Sequence, residues 1–278
     1  MPWLTFSIFD IALSQVISFN VHKSFLEELK WNFLQIRGHG DQIWFVAALF
    51  VAFIPFYFFI QWYETESQKM NGGSTAQVAI LLAWLLSFAS VLYKRLTPAS
   101  LFPWNSTSLP WHIEYMFQAM FYMTLGYIFH HNMERKFDEY NTPRMRETAL
   151  IIYLILVYIP FVEKIKMPMI IDIMYQYVVS VVGIFTLILI CKTVKTNRYI
   201  NYVGQNTLIY FALHGKAYSV MQALLKRFMR NLYAMVLDNV VTSSIFCFVF
   251  ALVLSVVLMV PTYIINRWCP GIMGRNSV

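Results

Sequence analysis

Residues 201–219, NYVGQNTLIYFALHGKAYS, decide how the rest of the chain is read. The stretch opens on a polar turn around Gly204, runs into an apolar helix from Leu208, and sets His214 and Lys216 inside that helix. Residues three and four apart on a helix lie one above the other, so Thr207, Tyr210, His214 and Tyr218 are expected to share a face. Inside a bilayer such ionisable groups are costly, turn towards the interior of a bundle, and mark a functional site by default. On a plainer alternative, Lys216 snorkels to the headgroups beside a histidine that is packed for structural reasons.

Outward from this stretch the composition settles the class. Of 278 residues, 59% are hydrophobic, 18% aromatic and 13% charged, and the mean hydropathy is +0.56. Soluble domains carry about 25% charged residues, roughly twice this share. Long apolar runs separated by short charged segments predict an all-α fold, a polytopic transmembrane helix bundle of about eight spans at about 20 residues each. A net charge of +7 would suggest nucleic acid in a soluble protein. Here the cations sit in connectors, where topology and anionic headgroups account for them, so a lipid bilayer and no nucleic acid is the expected partner. Cys191, Cys247 and Cys269 show no C-x-x-C pair and no metal-ligand spacing, so neither a metal nor a bound cofactor is expected. No basic segment or small-residue cleavage site follows Met1-Pro2-Trp3, and no secretory signal is expected.

Residues 1–278 are read as a single membrane-embedded domain. Residues 1–19 form a marginal span, weakened by Asp10, Ser14 and Gln15. In residues 20–42, Val21, Phe25, Leu29, Phe33 and Ile36 recur at helical spacing between charged residues, which predicts an amphipathic interfacial helix. Residues 43–265 form the bundle, with predicted spans at 43–63 (kinked at Pro55), 76–93, 110–129, 148–162, 169–190 and 243–265 beside the opening stretch; residues 266–278 are a short basic tail. Asn71-Gly72-Gly73-Ser74 predicts a flexible loop over 64–75. Residues 96–109, LTPASLFPWNSTSL, carry no charge and are long enough to fold over a site. Lys and Arg are shared equally between the two sets of connectors, so orientation leans only on the lid-like 96–109 loop lying outside.

His214 is the histidine expected to be buried in a span, and its ordinary pKa near neutrality suits a general base. His112 and Glu114 are two apart, so on an α-helix they would point to different sides, unable to pair, near a span end. His130-His131 reads as a helix end in water, and Asp172 is a possible partner for Lys216. The sequence holds no P-loop, H-E-x-x-H, G-x-S-x-G or dinucleotide fingerprint.

Residues 204–215, GQNTLIYFALHG, resemble the G-x-N-S-L-x-x-Y-x-x-H signature of the acyltransferase-3 family of integral membrane acyltransferases, the fucose and sugar O-acetylase type, with Thr207 where serine is usual. Residues 41–50, DQIWFVAALF, are similar to its G-x-L-W-F-L-x-A-L-F segment. Residues 109–129, LPWHIEYMFQAMFYMTLGYIF, resemble its L-P-x-x-x-(D/E)-x-A-L-x-A-x-x-F-(F/Y)-x-x-G helix, and residues 1–6, MPWLTF, the I-P-Y-L-x-F start of its third span. These segments follow the family's order and spacing along essentially the whole chain. The resemblance implies acetyl transfer from acetyl-CoA, or another acyl-CoA, to a hydroxyl of a cell-envelope carbohydrate or glycolipid acceptor at the bacterial plasma membrane. It also implies ten spans, the first two upstream of Met1 and carrying the family's essential histidine and its R-x-x-x-H-type basic residue. No residue here matches those, so catalytic residues are not carried over, and this chain is expected to be N-terminally truncated and incomplete or inactive alone. The resemblance carries over Trp44, Glu114, Tyr210 and His214 as substrate-pocket candidates, with Lys216 beside them. Arg135, Lys136, Arg144, Arg146, Lys195 and Arg198 are candidates for the phosphates of CoA, topology alone being the other account of them. A transporter or flippase of glycolipid or polysaccharide precursors is the alternative, whose mark would be an inverted repeat or paired broken helices; an inert membrane remnant is the third reading.

Overall fold

The computed structural model describes residues 8, 11, 25–36, 44–69, 72–104, 106–163, 167–229 and 240–268, and among these there is no strand. The helices are α1 (Phe25–Leu34), α2 (Trp44–Lys69), α3 (Gly72–Leu96), α4 (Met116–Ile128), α5 (Glu134–Tyr140), α6 (Pro143–Glu163), α7 (Met169–Cys191), α8 (Arg198–Gln205), α9 (Thr207–Phe228), α10 (Val240–Val257) and α11 (Met259–Trp268). Among the described residues four helical stretches are long and apolar enough to cross a membrane: Trp44–Lys69, Ser74–Leu96, Met169–Cys191 and Thr242–Trp268. The opening stretch covers the end of α8 and the first part of α9, which at 22 residues is long enough to span. His214, Lys216 and Gln222 dilute its apolarity, and it is not one of the four.

Two expected boundaries move. The 64–75 loop shrinks, because α2 runs on to Lys69 and α3 begins at Gly72; residues 70–71 lie outside the described residues. The expected span at 110–129 begins instead with a 3-10 turn, Pro110–Tyr115, and only then becomes α4, which passes through a π-turn at Phe129–Met133 into α5. Most of the marginal first span at 1–19, the region 37–43 and the tail beyond Trp268 lie outside the described residues.

Backbone packing divides the chain into two compact units, Met1–Ala47 with Thr196–Val278, and Ala48–Lys195. In the second unit Ala76, Ala79, Ala83 and Ser87 form a buried stripe of small residues along α3. Small side chains let helix backbones approach closely, and α4 packs here, with Met120 and Phe121 joining Ala83, Ile173 and Tyr177 in one cluster. The Ser87 and Tyr177 hydroxyls meet at 2.5 Å, so this polar pair is satisfied inside the apolar core. At one end of the unit Arg95 pairs with Asp172 at 2.8 Å. At the other, Lys192 pairs with Glu134 at 2.7 Å and Asp138 at 2.6 Å. Helices α6 and α7 touch closely where Gly183 faces Tyr153: a Cβ at Gly183 would sit 2.8 Å from Tyr153 Cε2.

In the first unit α8 is capped by Asn197, whose side-chain oxygen accepts from the Ile200 N–H at 2.8 Å. Ile209, Tyr210, Ala212 and Leu213 of α9 pack with Leu258, between α10 and α11, as a buried core. The Asn266 amide of α11 donates to Asn206 Oδ1 at 2.7 Å, tying α11 to the start of α9.

Candidate functional site

The site grows from the segment that departs from the helical pattern. Pro110 stands at the first position of the 3-10 turn, where a residue without an N–H and with a fixed φ is tolerated. Trp111 (φ 57°, ψ 20°) and His112 (φ 54°, ψ 40°) follow in the left-handed region. For L residues other than glycine that backbone costs about 1–2 kcal/mol per residue. Two successive left-handed residues break the helical path, and His112 and Glu114 come to the same side.

There the side chains of Ser108, His112 and Glu114 are 3%, 1% and 4% exposed at the residue level. His112 Nδ1 lies 3.1 Å from Glu114 Oε1, and the Ser108 hydroxyl donates to the same oxygen at 3.0 Å. The Leu109 N–H donates to Oε2 at 2.9 Å. A carboxylate only accepts, so the imidazole proton belongs on Nδ1. The 3.3 Å approach of Ser108 Oγ to His112 Nδ1 is then the contact of two donors converging on one oxygen. Glu114 is the hub, and a buried carboxylate with this many donors is a satisfied one.

The turn also reaches inward along a spanning helix. The Ser90 hydroxyl donates to the Glu114 carbonyl, and Lys94 Nζ stands 3.5 Å over the Tyr115 ring. Ser90 precedes the end of α3 at Leu96 by six residues. At about 1.5 Å per residue, the turn therefore dips about 9 Å along α3. Non-helical backbone at such depth is tolerated where protein covers it. The cover comes from the preceding loop. Phe102 and Trp104 stack at 5.6 Å, and the Trp104 indole N–H donates to the Ser108 carbonyl at 2.8 Å.

The expectations about histidines are reversed here. His112, placed by spacing at an interface and unable to pair, is the buried one and pairs with Glu114. The i, i+2 rule failed because it holds for an α-helix and this backbone is left-handed. His214 is exposed, and its Nδ1–H donates to the Phe211 carbonyl within its own helix at 2.5 Å. Tyr210 is buried against Leu258, while Thr207, His214 and Tyr218 are exposed, so the expected shared face divides. Trp44 connects to His214 only through intervening rings: Trp44 to Phe45 at 5.9 Å, Phe45 to Phe211 at 5.6 Å, Phe211 to His214 at 5.5 Å. Lys216 is half-buried, and Asp172 pairs with Arg95.

No protein-family model, curated protein or solved structure matches this chain.

Among the basic candidates, Arg135, Lys136, Arg144, Lys195 and Arg198 are exposed and Arg146 is half-buried. The Asn141 amide, 3.4 Å from the Leu189 carbonyl, and the Lys192 ion pairs bring the α5–α6 turn to the C-terminal end of α7. Arg135, Lys136, Arg144, Arg146 and Lys195 thus gather at one end of the second unit. Among the described residues no three His, Cys, Asp or Glu side chains form a group able to hold a metal. Ser108 was missed in the sequence; the available signal was Pro110, which ends any helix begun upstream and frees the residues around it for a compact turn.

Proposed function

We propose that this protein is an integral membrane O-acyltransferase of the bacterial plasma membrane, moving an acetyl group from acetyl-CoA to a hydroxyl of a cell-envelope sugar or glycolipid. The ordered family-like segments support this reading. The observation that carries it is the buried His112–Glu114 pair on a strained turn backed by a spanning helix. Glu114 holds the imidazole proton on Nδ1 and orients the ring, which makes Nε2 the basic nitrogen. It then stabilises the imidazolium formed as Nε2 takes the proton of the attacking acceptor hydroxyl. The cations gathered at the far end of the second unit suit the phosphates of the donor. The expected count of about eight spans would add α4, α6, α9 and the sequence-expected span at 1–19 to the four apolar helices.

The resemblance alone implies a chain incomplete or inactive by itself, but the His112–Glu114 pair supplies acid–base groups within it. Membranes carrying the chain and given acetyl-labelled acetyl-CoA are therefore expected to transfer label to extractable glycolipid or polysaccharide. His112→Ala and Glu114→Gln are each expected to lower the rate by about 100-fold or more, as loss of a general base does. Absence of transfer, or transfer indifferent to both substitutions, overturns the reading. Translocation of a glycolipid without acylation would favour a flippase.

A further inference from the structure

We propose that Ser108 carries the acyl group covalently between donor and acceptor, so that the reaction passes through an O-acyl-serine; this rests on the acyl-transfer reading above. Ser108 Oγ stands 3.0 Å from Glu114 Oε1, inside the range that joins a nucleophile to its base. The same hydroxyl is 3.3 Å from the His112 ring, so one serine borders both acid–base groups of the site. Its backbone is held on either side: the Ser108 N–H donates to Ser106 Oγ at 3.2 Å and its carbonyl accepts from Trp104. A side chain on a backbone pinned in this way keeps one direction, as a nucleophile requires. The two left-handed residues supply the second observation. Without them Glu114 would leave the hydroxyl, and strain of this kind is retained where surrounding structure enforces it for a purpose.

The chemistry balances in two halves. In the first, the Ser108 hydroxyl proton passes to Glu114 as Oγ attacks the thioester carbonyl. A C–O bond forms, the C–S bond breaks, and the departing thiolate takes the proton from Glu114 to leave as the free thiol of CoA. In the second, the acceptor hydroxyl gives its proton to His112 Nε2 and attacks the serine ester. The new ester forms, the bond to Ser108 breaks, and the serine oxygen regains a proton from the imidazolium. Neither half needs an oxidant or reductant. Donor and acceptor use the same carbonyl position in turn, which predicts ping-pong kinetics.

The test is incubation of the detergent-purified wild-type protein, freed of membrane glycolipid, with acetyl-labelled acetyl-CoA and no acceptor, then acid quench and peptide mass spectrometry. Expected is an acetyl group on Ser108 that alkaline hydroxylamine removes and added acceptor discharges. Ser108→Ala is expected to lose both label and transfer, and Ser108→Cys to carry the label as a thioester; because the wild-type adduct is itself the readout, misfolding of a variant does not blunt the test. Label on Ser108 without onward transfer supports the serine adduct and overturns the proposed acceptor chemistry. Transfer with no serine label and sequential kinetics overturns the adduct and leaves the acyltransferase reading standing. Absence of both label and transfer overturns the two together.

Discussion

Truncating Glu114 to alanine strands three donors at once: the His112 Nδ1–H, the Ser108 hydroxyl and the Leu109 N–H. Each charge-assisted bond is worth about 1.5–3 kcal/mol, but a loop turn relaxes and admits water when its hub is lost. Each buried donor left without its acceptor costs about 1–3 kcal/mol, so with partial relaxation a loss of about 3–5 kcal/mol is expected here. In a domain the size of the second unit, each kcal/mol moves the melting point by about 2–4 °C, so a fall of about 10 °C is expected. The assay is thermal unfolding in mild detergent at fixed scan rate, with a two-by-two set of Glu114→Ala, His112→Ala and the double variant. Because the imidazole loses its purpose once the carboxylate is gone, the double variant should melt well above the sum of the singles, with a coupling of about 0.5–3 kcal/mol. Strict additivity, or a Glu114→Ala protein that melts with the wild type, would refute the hub.

Three further outcomes are expected. Gly183→Ala drives a methyl to within 2.8 Å of the Tyr153 ring and should cost about 1–3 kcal/mol, a loss that Tyr153→Leu in the same chain relieves. Tyr177→Phe leaves the buried Ser87 hydroxyl without its partner and should lower stability by about 1 kcal/mol, read by the same melt. Lys192, and next His130, hold the Glu134 carboxyl below its ordinary range, while Asp138, and next Glu134, hold the Lys192 ammonium above its own. The Glu134 contribution is complete above the carboxyl's unfolded value and fades as pH falls through the lowered one; the Lys192 contribution is complete below the ammonium's unfolded value and fades as pH rises through the raised one. The melting-point gap between wild type and Lys192→Met should therefore be widest at intermediate pH and close towards both extremes; a gap independent of pH would rule the network out.

Much of the architecture was legible in the sequence, because apolar runs near 20 residues have few alternatives to a helix. The expected 76–93 and 169–190 spans fall within α3 and α7, and the 43–63 span matches α2 from Trp44 onward. The site was less legible, for reasons specific to its residues. Neither Trp111 nor His112 advertises a left-handed backbone as glycine would, and tertiary contacts such as Ser90 with the Glu114 carbonyl join the local bonds to Glu114 in holding that turn in place. His214 misled for the opposite reason. Helical spacing states which residues share a face but not which arc of the helix a neighbour covers, and α10 and α11 cover the arc of Tyr210.

The π-turn at Phe129–Met133 shows how one surplus residue can be put to use. Tyr127 and Glu134, seven positions apart, would project in the same direction from an unbroken α-helix. Yet Tyr127 donates to Glu64 on α2, whereas Glu134 meets Lys192 beyond α7. The wide turn inserts a phase step of about 100° between them, letting one continuous rod grip two different neighbours. Its length, more than its letters, is what has to be kept: excising any one of those five residues would re-phase everything downstream and force the rod to let go of one neighbour.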